Sequence, residues 1–140
     1  INEVGRENVG CLLDTGHASA GGENVAESIA LLNMPNCSKL SYVHFNDNWH
    51  TWDDDMMAGS IHTFELLETL YWLKRTGYRG WLTLDIFPYR ENGVQAATES
   101  IGWIKGLLDK IDKTGLDHIG KVISKNDAIE SSRMLRKIFL

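Results

Sequence analysis

One pattern occurs three times in this chain: a short apolar run ends at an aspartate or beside a histidine, and apolar residues at helical spacing follow it. The three runs cover residues 8–14, 40–45 and 81–85. Apolar runs of this length are typical of parallel strands that are buried on both faces. Alternating strands and helices predict an α/β fold with a parallel sheet. In such folds ligands bind at the carboxyl ends of the strands, where these polar side chains lie.

Apolar residues at helical spacing separate the three runs and continue to the end of the chain. We predict helices over residues 24–32, 64–74, 94–111, 116–124 and 127–138. Thr63 is a candidate N-cap, and Asp127 with Glu130 has the spacing of a capping box. Gly115 is typical of a helix end. Residues 15–22 are small and polar, so we expect a loop there.

Charge and composition limit the classes of function. The net charge of the 140 residues is −5, and no cluster of lysine and arginine precedes the last third, which argues against a nucleic-acid surface. No apolar run reaches the roughly 20 residues of a membrane span, and no basic and apolar leader opens the chain, so we expect a cytoplasmic protein. Cys11 and Cys37 are expected to be free thiols rather than a disulfide or metal ligands.

Two pairs of ligand-type side chains follow the first two predicted strands. Asp14 and His17 are separated by two residues, so they can reach one ion, or two ions that the carboxylate bridges. His44 and Asp47 repeat this spacing at the next strand. Residues 14–17 alone could equally form the first turn of a helix, so this pair does not establish a metal site by itself.

An acidic loop and the third strand supply further carboxylates. Asp53 and Asp55 can turn to one side of the loop while Asp54 points away, although a solvated acidic loop is the ordinary alternative. Asp85 follows an apolar strand, where a buried and unpaired carboxylate would be costly. The joint occurrence at three successive strand ends favours a metal site. Carboxylates with a few imidazoles suit Mn²⁺, Mg²⁺ or Co²⁺ better than Zn²⁺.

Four segments together resemble the xylose-isomerase-like (β/α)₈ barrels. They are Asp14-Thr-Gly-His17, His44-Phe-Asn-Asp47, the run Trp-Asp-Asp-Asp-Met-Met-Ala-Gly-Ser-Ile at 52–61, and Leu84-Asp-Ile-Phe-Pro88. The resemblance covers about residues 8–110 and is closest to the two-metal aldose–ketose isomerases, especially L-rhamnose isomerases. It implies that residues 1–112 are the last three strand–helix units of a TIM barrel and that residues 113–140 are a helical tail.

The resemblance also implies roles for individual residues. The residues that would hold a structural metal are Asp14, His44 and Asp85, with Asp14 bridging to a second metal. The residues that would hold the second, catalytic metal are His17, Asp53 and Asp55. The residues that would contact the sugar are Asp47, Trp49, Trp52 and Phe87; His50 and His62 could also line the site. The implied cofactors are two Mn²⁺ ions, or Mg²⁺ or Co²⁺, and the implied reaction moves a hydride between C1 and C2 of an open-chain sugar.

The chain also departs from the family pattern, because a full barrel needs about 250 residues. Five strands are absent, and with them a glutamate ligand and a nearby lysine of the family. We therefore expect a C-terminal fragment whose partners are a sugar substrate and the missing N-terminal half or another chain, without nucleic acid or membrane. We expect homo-oligomers, and we expect the isolated 140 residues to be inactive and to associate.

Three alternatives remain open at this point. A single-metal sugar epimerase or dehydratase of the same superfamily has no use for the pair Asp53 and Asp55. A DNA-repair endonuclease on the same scaffold needs a basic groove, which the acidic composition does not provide. A catalytically inactive chain that keeps the metal ligands is the third alternative.

Overall fold

Three parallel strands form the centre of the structure, a computed structural model that describes residues 1–140. They are β1 (Cys11–Asp14), β2 (Leu40–Phe45) and β3 (Trp81–Leu84), and β2 lies between the other two. Because all three strands run in the same direction, their carboxyl ends lie at one edge of the sheet. The predicted α/β class with a parallel sheet is confirmed.

The strand register explains why the polar residues of three separate segments meet. Asp14 lies opposite His44, and His44 lies opposite Thr83. Side chains that are opposite one another in neighbouring strands point to the same face, and residues two apart in one strand do so as well. Asp85, two residues after Thr83, therefore points to the same face of the sheet as Asp14 and His44.

Six α-helices follow or separate the strands. They are α1 (Thr15–Ala20), α2 (Val25–Leu32), α3 (Thr63–Arg75), α4 (Gly93–Thr114), α5 (Leu116–Ser124) and α6 (Ala128–Phe139), and a single 3₁₀ turn (Asn2–Val4) precedes β1. The side chains of Asn24, Asn92 and Asp127 accept hydrogen bonds from the first backbone N–H groups of α2, α4 and α6. Such caps satisfy donors that have no partner within the helix. The five predicted helices are confirmed.

Three local predictions were wrong. Residues 15–20 form α1 rather than a loop, because the Asp14 carboxylate accepts hydrogen bonds from the backbone N–H groups of Gly16 and His17. Thr63 is the first residue of α3 rather than its cap, and its hydroxyl donates to the Gly59 carbonyl oxygen. The Glu130 carboxylate accepts from Lys125 instead of completing the capping box.

The core lies between one face of the sheet and helices α2, α3 and α4. Val43 and Phe45 of β2 are fully buried there against Leu70 and Ile111. Ile138 of α6 belongs to the same cluster, so the C-terminal helices pack on the sheet-bearing part of the chain. Neither cysteine forms a disulfide. None of the helices is both long enough and apolar enough to cross a membrane.

The opposite face of the sheet carries apolar side chains without a covering layer. Leu12, Tyr42 and Trp81 lie opposite one another in the register and form one row across the three strands. Leu12 is exposed, and Trp81 is 73% exposed. The row of polar residues at Asp14 and His44 is the next one along this same face, so the cluster described below lies at the end of an uncovered apolar surface.

Candidate metal centre at the strand ends

The first group of ligand atoms joins the ends of all three strands. The His44 Nδ1 atom lies 3.0 Å from an Asp85 oxygen and 3.3 Å from Asp14 Oδ2. One ligand atom from each of the three residues lies within 4.8 Å of the other two. The Asp85 side chain is 55% exposed, so the burial cost that we invoked for this carboxylate does not apply. The strand register alone accounts for its position.

Each oxygen of Asp14 has a different environment. Oδ1 accepts hydrogen bonds from the backbone N–H groups of Gly16 at 2.9 Å and His17 at 3.1 Å, and from the Asn46 amide at 3.2 Å. Oδ2 faces His44. Residues 14–17 are thus the first turn of a helix, and Asp14 and His17 also belong to the cluster of ligand-type side chains.

A second group of ligand atoms shares Asp14 with the first. It consists of Asp14, His17 and Asp53, whose ligand atoms also lie within 4.8 Å of one another. The His17 Nε2 atom is 2.8 Å from Asp53 Oδ2. Asp53 Oδ1 is buried and has no hydrogen-bond partner. A buried carboxylate oxygen without a donor is unfavourable, and a cation would satisfy it.

Asp55 adds a fourth carboxylate beside these groups. Burial raises its pKa, and the charges of Asp53, Asp85 and Asp14 raise it further, whereas His17 acts in the opposite direction. The Asn46 amide donates to Asp55 Oδ1 at 3.5 Å. The cluster therefore concentrates negative charge at one point.

Asp54 turns away from this concentration, as the alternation in the sequence predicted. Its carboxylate accepts a hydrogen bond from the backbone N–H of Trp49 at 3.1 Å. Asp55 itself has a left-handed backbone with a φ of 48°. Its carbonyl oxygen accepts from the backbone N–H of Phe87 at 2.8 Å, which fastens the acidic loop to the segment after β3.

Asp47 holds the loop in place from the other side. The backbone of Asp47 pairs with that of Met56 in an isolated antiparallel bridge. Its buried carboxylate accepts from the backbone N–H groups of Ile61 and His62, and it pairs with the His62 Nδ1 atom at 2.8 Å. In this structure Asp47 supports the loop, and it belongs to neither of the two ligand groups.

A cavity of about 450 Å³ adjoins the acidic loop. Its lining includes Asp55 together with Trp49 and Phe87, two of the predicted sugar contacts, whereas Trp52 is exposed and is not part of the lining. Cavities of roughly 300–1,000 Å³ are the usual size for small-molecule sites. The aromatic side chains therefore bound a space that a small polar molecule can enter beside the carboxylates.

The donor set fits a divalent cation. It combines carboxylate oxygens from three segments of the chain with two imidazole nitrogens, and it includes the unpartnered oxygen of Asp53. Oxygen-rich sets of this kind bind Mg²⁺ and Mn²⁺, and imidazole extends the range to later transition metals. The residues that could hold such ions are Asp14, His17, His44, Asp53, Asp55 and Asp85.

Two comparisons with known proteins bear on this site. The family model described as xylose isomerase-like TIM barrel matches residues 1–107. The chain is also 27% identical over 138 residues to the inosose isomerase of Halalkalibacterium halodurans. That alignment covers 95% of the chain and 43% of the relative, so the chain spans less than half the length of the relative that it matches.

Proposed function

Because the chain belongs to the xylose isomerase-like TIM barrel family, we propose that it is part of a sugar isomerase that uses two divalent cations. The resemblance that the motifs indicated is confirmed by the family match, and the relative supports an isomerase-type enzyme in general. In this proposal β1, β2 and β3 are the last three strands of an eight-stranded barrel. Residues 1–112 complete that barrel, and residues 113–140 form the tail.

The position of Asp14 carries the proposal. This one carboxylate belongs to both ligand groups, so it would help to hold both ions. Oδ2 is the oxygen left for this role, because Oδ1 already accepts three hydrogen bonds. The ligands on one side are His44 and Asp85, and those on the other are His17 and Asp53. Asp55 belongs to neither group, but it interacts with the charges of Asp53, Asp85 and Asp14, and in this proposal it joins the second side. Pairs of metal ions bridged by a carboxylate are a common arrangement in enzymes that act on oxygen-rich substrates.

The residues of this chain would bind and orient the substrate beside the ions. When bound, the two ions would supply Lewis-acid polarisation of a carbonyl oxygen and of the neighbouring hydroxyl. Three donors to Oδ1 hold the Asp14 side chain in its orientation toward the cluster. Trp49 and Phe87 would exclude water from the apolar face of the sugar at the cavity wall. Trp52, which is exposed, stays a proposed substrate contact of the whole protein. The Asp47 carboxylate is buried and occupied by Ile61 and His62, so its proposed role is to hold the loop beside the substrate.

We further propose that hydrogen moves directly between C1 and C2 as a hydride. Proton transfer through an enediol needs a carboxylate that is free to act as the base. In this proposal the carboxylates of the cluster would be metal ligands and none would be free to act as the base, which favours the direct route. The relative is an inosose isomerase, so the proposed substrate class is a polyhydroxylated aldehyde or ketone.

Metal analysis of the full-length protein tests the two-ion proposal. We expect two Mn²⁺ ions per chain in the unmodified protein and one in the double variant Asp53→Asn with Asp55→Asn, which should also lose isomerase activity. Asp54→Asn is the matched control, since this neighbour turns away, and it should keep both ions. One ion in the unmodified protein would favour the single-metal epimerase or dehydratase instead, with the group formed by Asp14, His44 and Asp85 as the candidate site for that ion.

Isomerisation in D₂O tests the hydride route separately. Direct transfer leaves the product carbon without deuterium, whereas an enediol route exchanges the hydrogen with solvent. Deuterium incorporation close to one equivalent would refute the direct route and leave the metal proposal standing. An inactive full-length protein that binds two ions would support the alternative of a catalytically silent chain.

A further inference from the structure

A second cluster of ligand-type side chains lies outside the centre described above. It consists of His50 in the loop after β2, and of His62 and Glu65 at the start of α3. One ligand atom from each of these three residues lies within 4.8 Å of the other two. The two imidazole rings are 3.9 Å apart at nearly a right angle. No residue of this cluster belongs to either ligand group that contains Asp14.

Buried partners orient both rings. His62 Nδ1 pairs with Asp47 Oδ1 at 2.8 Å, and His50 Nδ1 pairs with the Ser19 hydroxyl at the same distance. Asp47 and Ser19 are both more than nine-tenths buried. In each ring the Nδ1 atom is therefore occupied, and the Nε2 atom is left for another partner. A carboxylate on the far nitrogen of a histidine is the usual support of a histidine that ligates a metal.

The distance between His50 and Glu65 suits two ligands of a small cation. His50 Nε2 lies 3.5 Å from Glu65 Oε1. Ligands about 2.0–2.2 Å from a zinc ion in tetrahedral geometry are about 3.3–3.6 Å from each other. A cavity of about 30 Å³, lined by Ser19, His62 and Glu65 among others, adjoins the cluster and has room for about one water molecule.

We propose that His50, His62 and Glu65 form a separate binding site for a zinc-class cation, with water as the fourth ligand. Two imidazoles and one carboxylate are a ligand set of zinc sites that keep one position open. The side chains of His50 and Glu65 are 41% and 47% exposed, so water and the ion can reach the site. This site differs from the carboxylate-rich centre in its preferred metal, because a higher share of nitrogen favours Zn²⁺ and Co²⁺ over Mn²⁺ and Mg²⁺.

The visible absorption of Co²⁺ tests this site on the metal-free full-length protein. Tetrahedral Co²⁺ absorbs strongly in the visible range, whereas six-coordinate Co²⁺ in an oxygen-rich site absorbs weakly. We expect a strong band that titrates to one equivalent and that Zn²⁺ abolishes. The band should disappear in His50→Gln and in Glu65→Gln. Both variants change half-exposed side chains and leave the pair of Asp47 and His62 intact.

Matched variants separate ligation from general effects. Glu68→Gln lies one turn further along α3, and His118→Gln changes an exposed histidine of α5; both should keep the band. Asp53→Asn should keep it as well, because Asp53 belongs to the other centre. Ser19→Ala, which removes the partner of His50 Nδ1, should weaken Zn²⁺ binding about tenfold without removing a ligand.

Several results would overturn the proposal. A protein that takes up Co²⁺ with only weak absorption has no tetrahedral site of this kind. A strong band that persists in His50→Gln and Glu65→Gln belongs to other residues. A band that Asp53→Asn removes would show that the carboxylate-rich centre is its source. Each result is independent of the isomerase activity and of the number of Mn²⁺ ions bound.

Discussion

Gly16 offers the sharpest test of the geometry at the strand ends. It is a buried residue of α1, directly between Asp14 and the acidic loop. A Cβ atom at this position would lie 2.4 Å from Asn46 Oδ1 and 2.7 Å from Asp53 Oδ1. Neither side chain can withdraw freely, since the Asn46 amide holds Asp14 and Asp53 pairs with His17. We expect Gly16→Ala to be destabilising although alanine favours helices.

The magnitude follows from two opposing effects. Inserting a methyl group into a packed site costs about 1–3 kcal/mol. Alanine in place of glycine inside a helix gains up to about 1 kcal/mol. Gly106 of α4 is the matched control, because a Cβ there meets nothing within 4 Å. Gly106→Ala should therefore show only the stabilisation from the higher helix propensity of alanine. The two variants should therefore differ by about 2 kcal/mol in the free energy of unfolding.

Urea denaturation and metal titration measure the two consequences. With a slope of about 1–3 kcal/mol per molar urea, the midpoints of the two variants should differ by about 1 M. The clash also displaces Asn46 and Asp53, so Mn²⁺ should bind to Gly16→Ala about tenfold more weakly than to Gly106→Ala. Equal midpoints together with equal Mn²⁺ affinity would show that a methyl group at position 16 does not clash with Asn46 and Asp53, and would refute the reasoning.

Three further predictions concern the core, a thiol and the open face of the sheet. Leu70→Ala should lower the free energy of unfolding by about 2–5 kcal/mol, because Leu70 is fully buried; a loss below 1 kcal/mol in urea denaturation would contradict the packing. Burial raises the pKa of Cys11 above its usual 9.0, and the charges of Cys37 and Glu23 raise it further. Only a small fraction of this thiol is therefore ionised at neutral pH. Iodoacetamide labelling of Cys11 in the unmodified protein, followed by mass spectrometry of the peptide that contains it, should therefore accelerate with a midpoint above pH 9, and a lower midpoint would refute this. Residues 1–140 should associate through the exposed row at Trp81, and sedimentation of Trp81→Lys should show less association; an unchanged profile would contradict it.

Periodicity was sufficient to predict most of the helices and strands. Ile104 and Ile111 of α4 recur at helical spacing, and both are buried in the core. The apolar run of β2 was predicted over residues 40–45, and it contains the fully buried Val43 and Phe45. In these segments local pattern and tertiary burial agree, and such agreement makes a sequence informative.

Features that depend on single hydrogen bonds do not show in the spacing of apolar residues. Helix α1 has only six residues, too few for a clear period, and it begins because Asp14 caps it. Asp14 is a recognisable N-cap residue, so the signal was present. The contact between His50 and His62 was missed because an irregular loop connects the two residues, and such a loop has no periodic spacing. His50 itself has a left-handed backbone. His62 and Glu65 are three residues apart at the start of one helix, and side chains at this spacing are neighbours. This spacing could have predicted that the two side chains lie together.

The two asparagines after β2 explain why the acidic loop stands where it does. Asn46 and Asn48 are both buried, and each uses both ends of its amide. Asn46 donates to Asp14 and accepts from the Thr15 hydroxyl. Asn48 donates to the carbonyl oxygen of Gly16 and accepts from the backbone N–H of His50.

An aspartate at either position has no hydrogen to donate, and at position 46 it would also add a negative charge beside Asp14. Neutral amides on either side of Asp47 therefore tie the loop to α1 without adding to the negative charge of the cluster. The segment 46–48 connects the carboxylate-rich centre to the histidine pair through these bonds, so the loop geometry at both sites depends on the same three side chains.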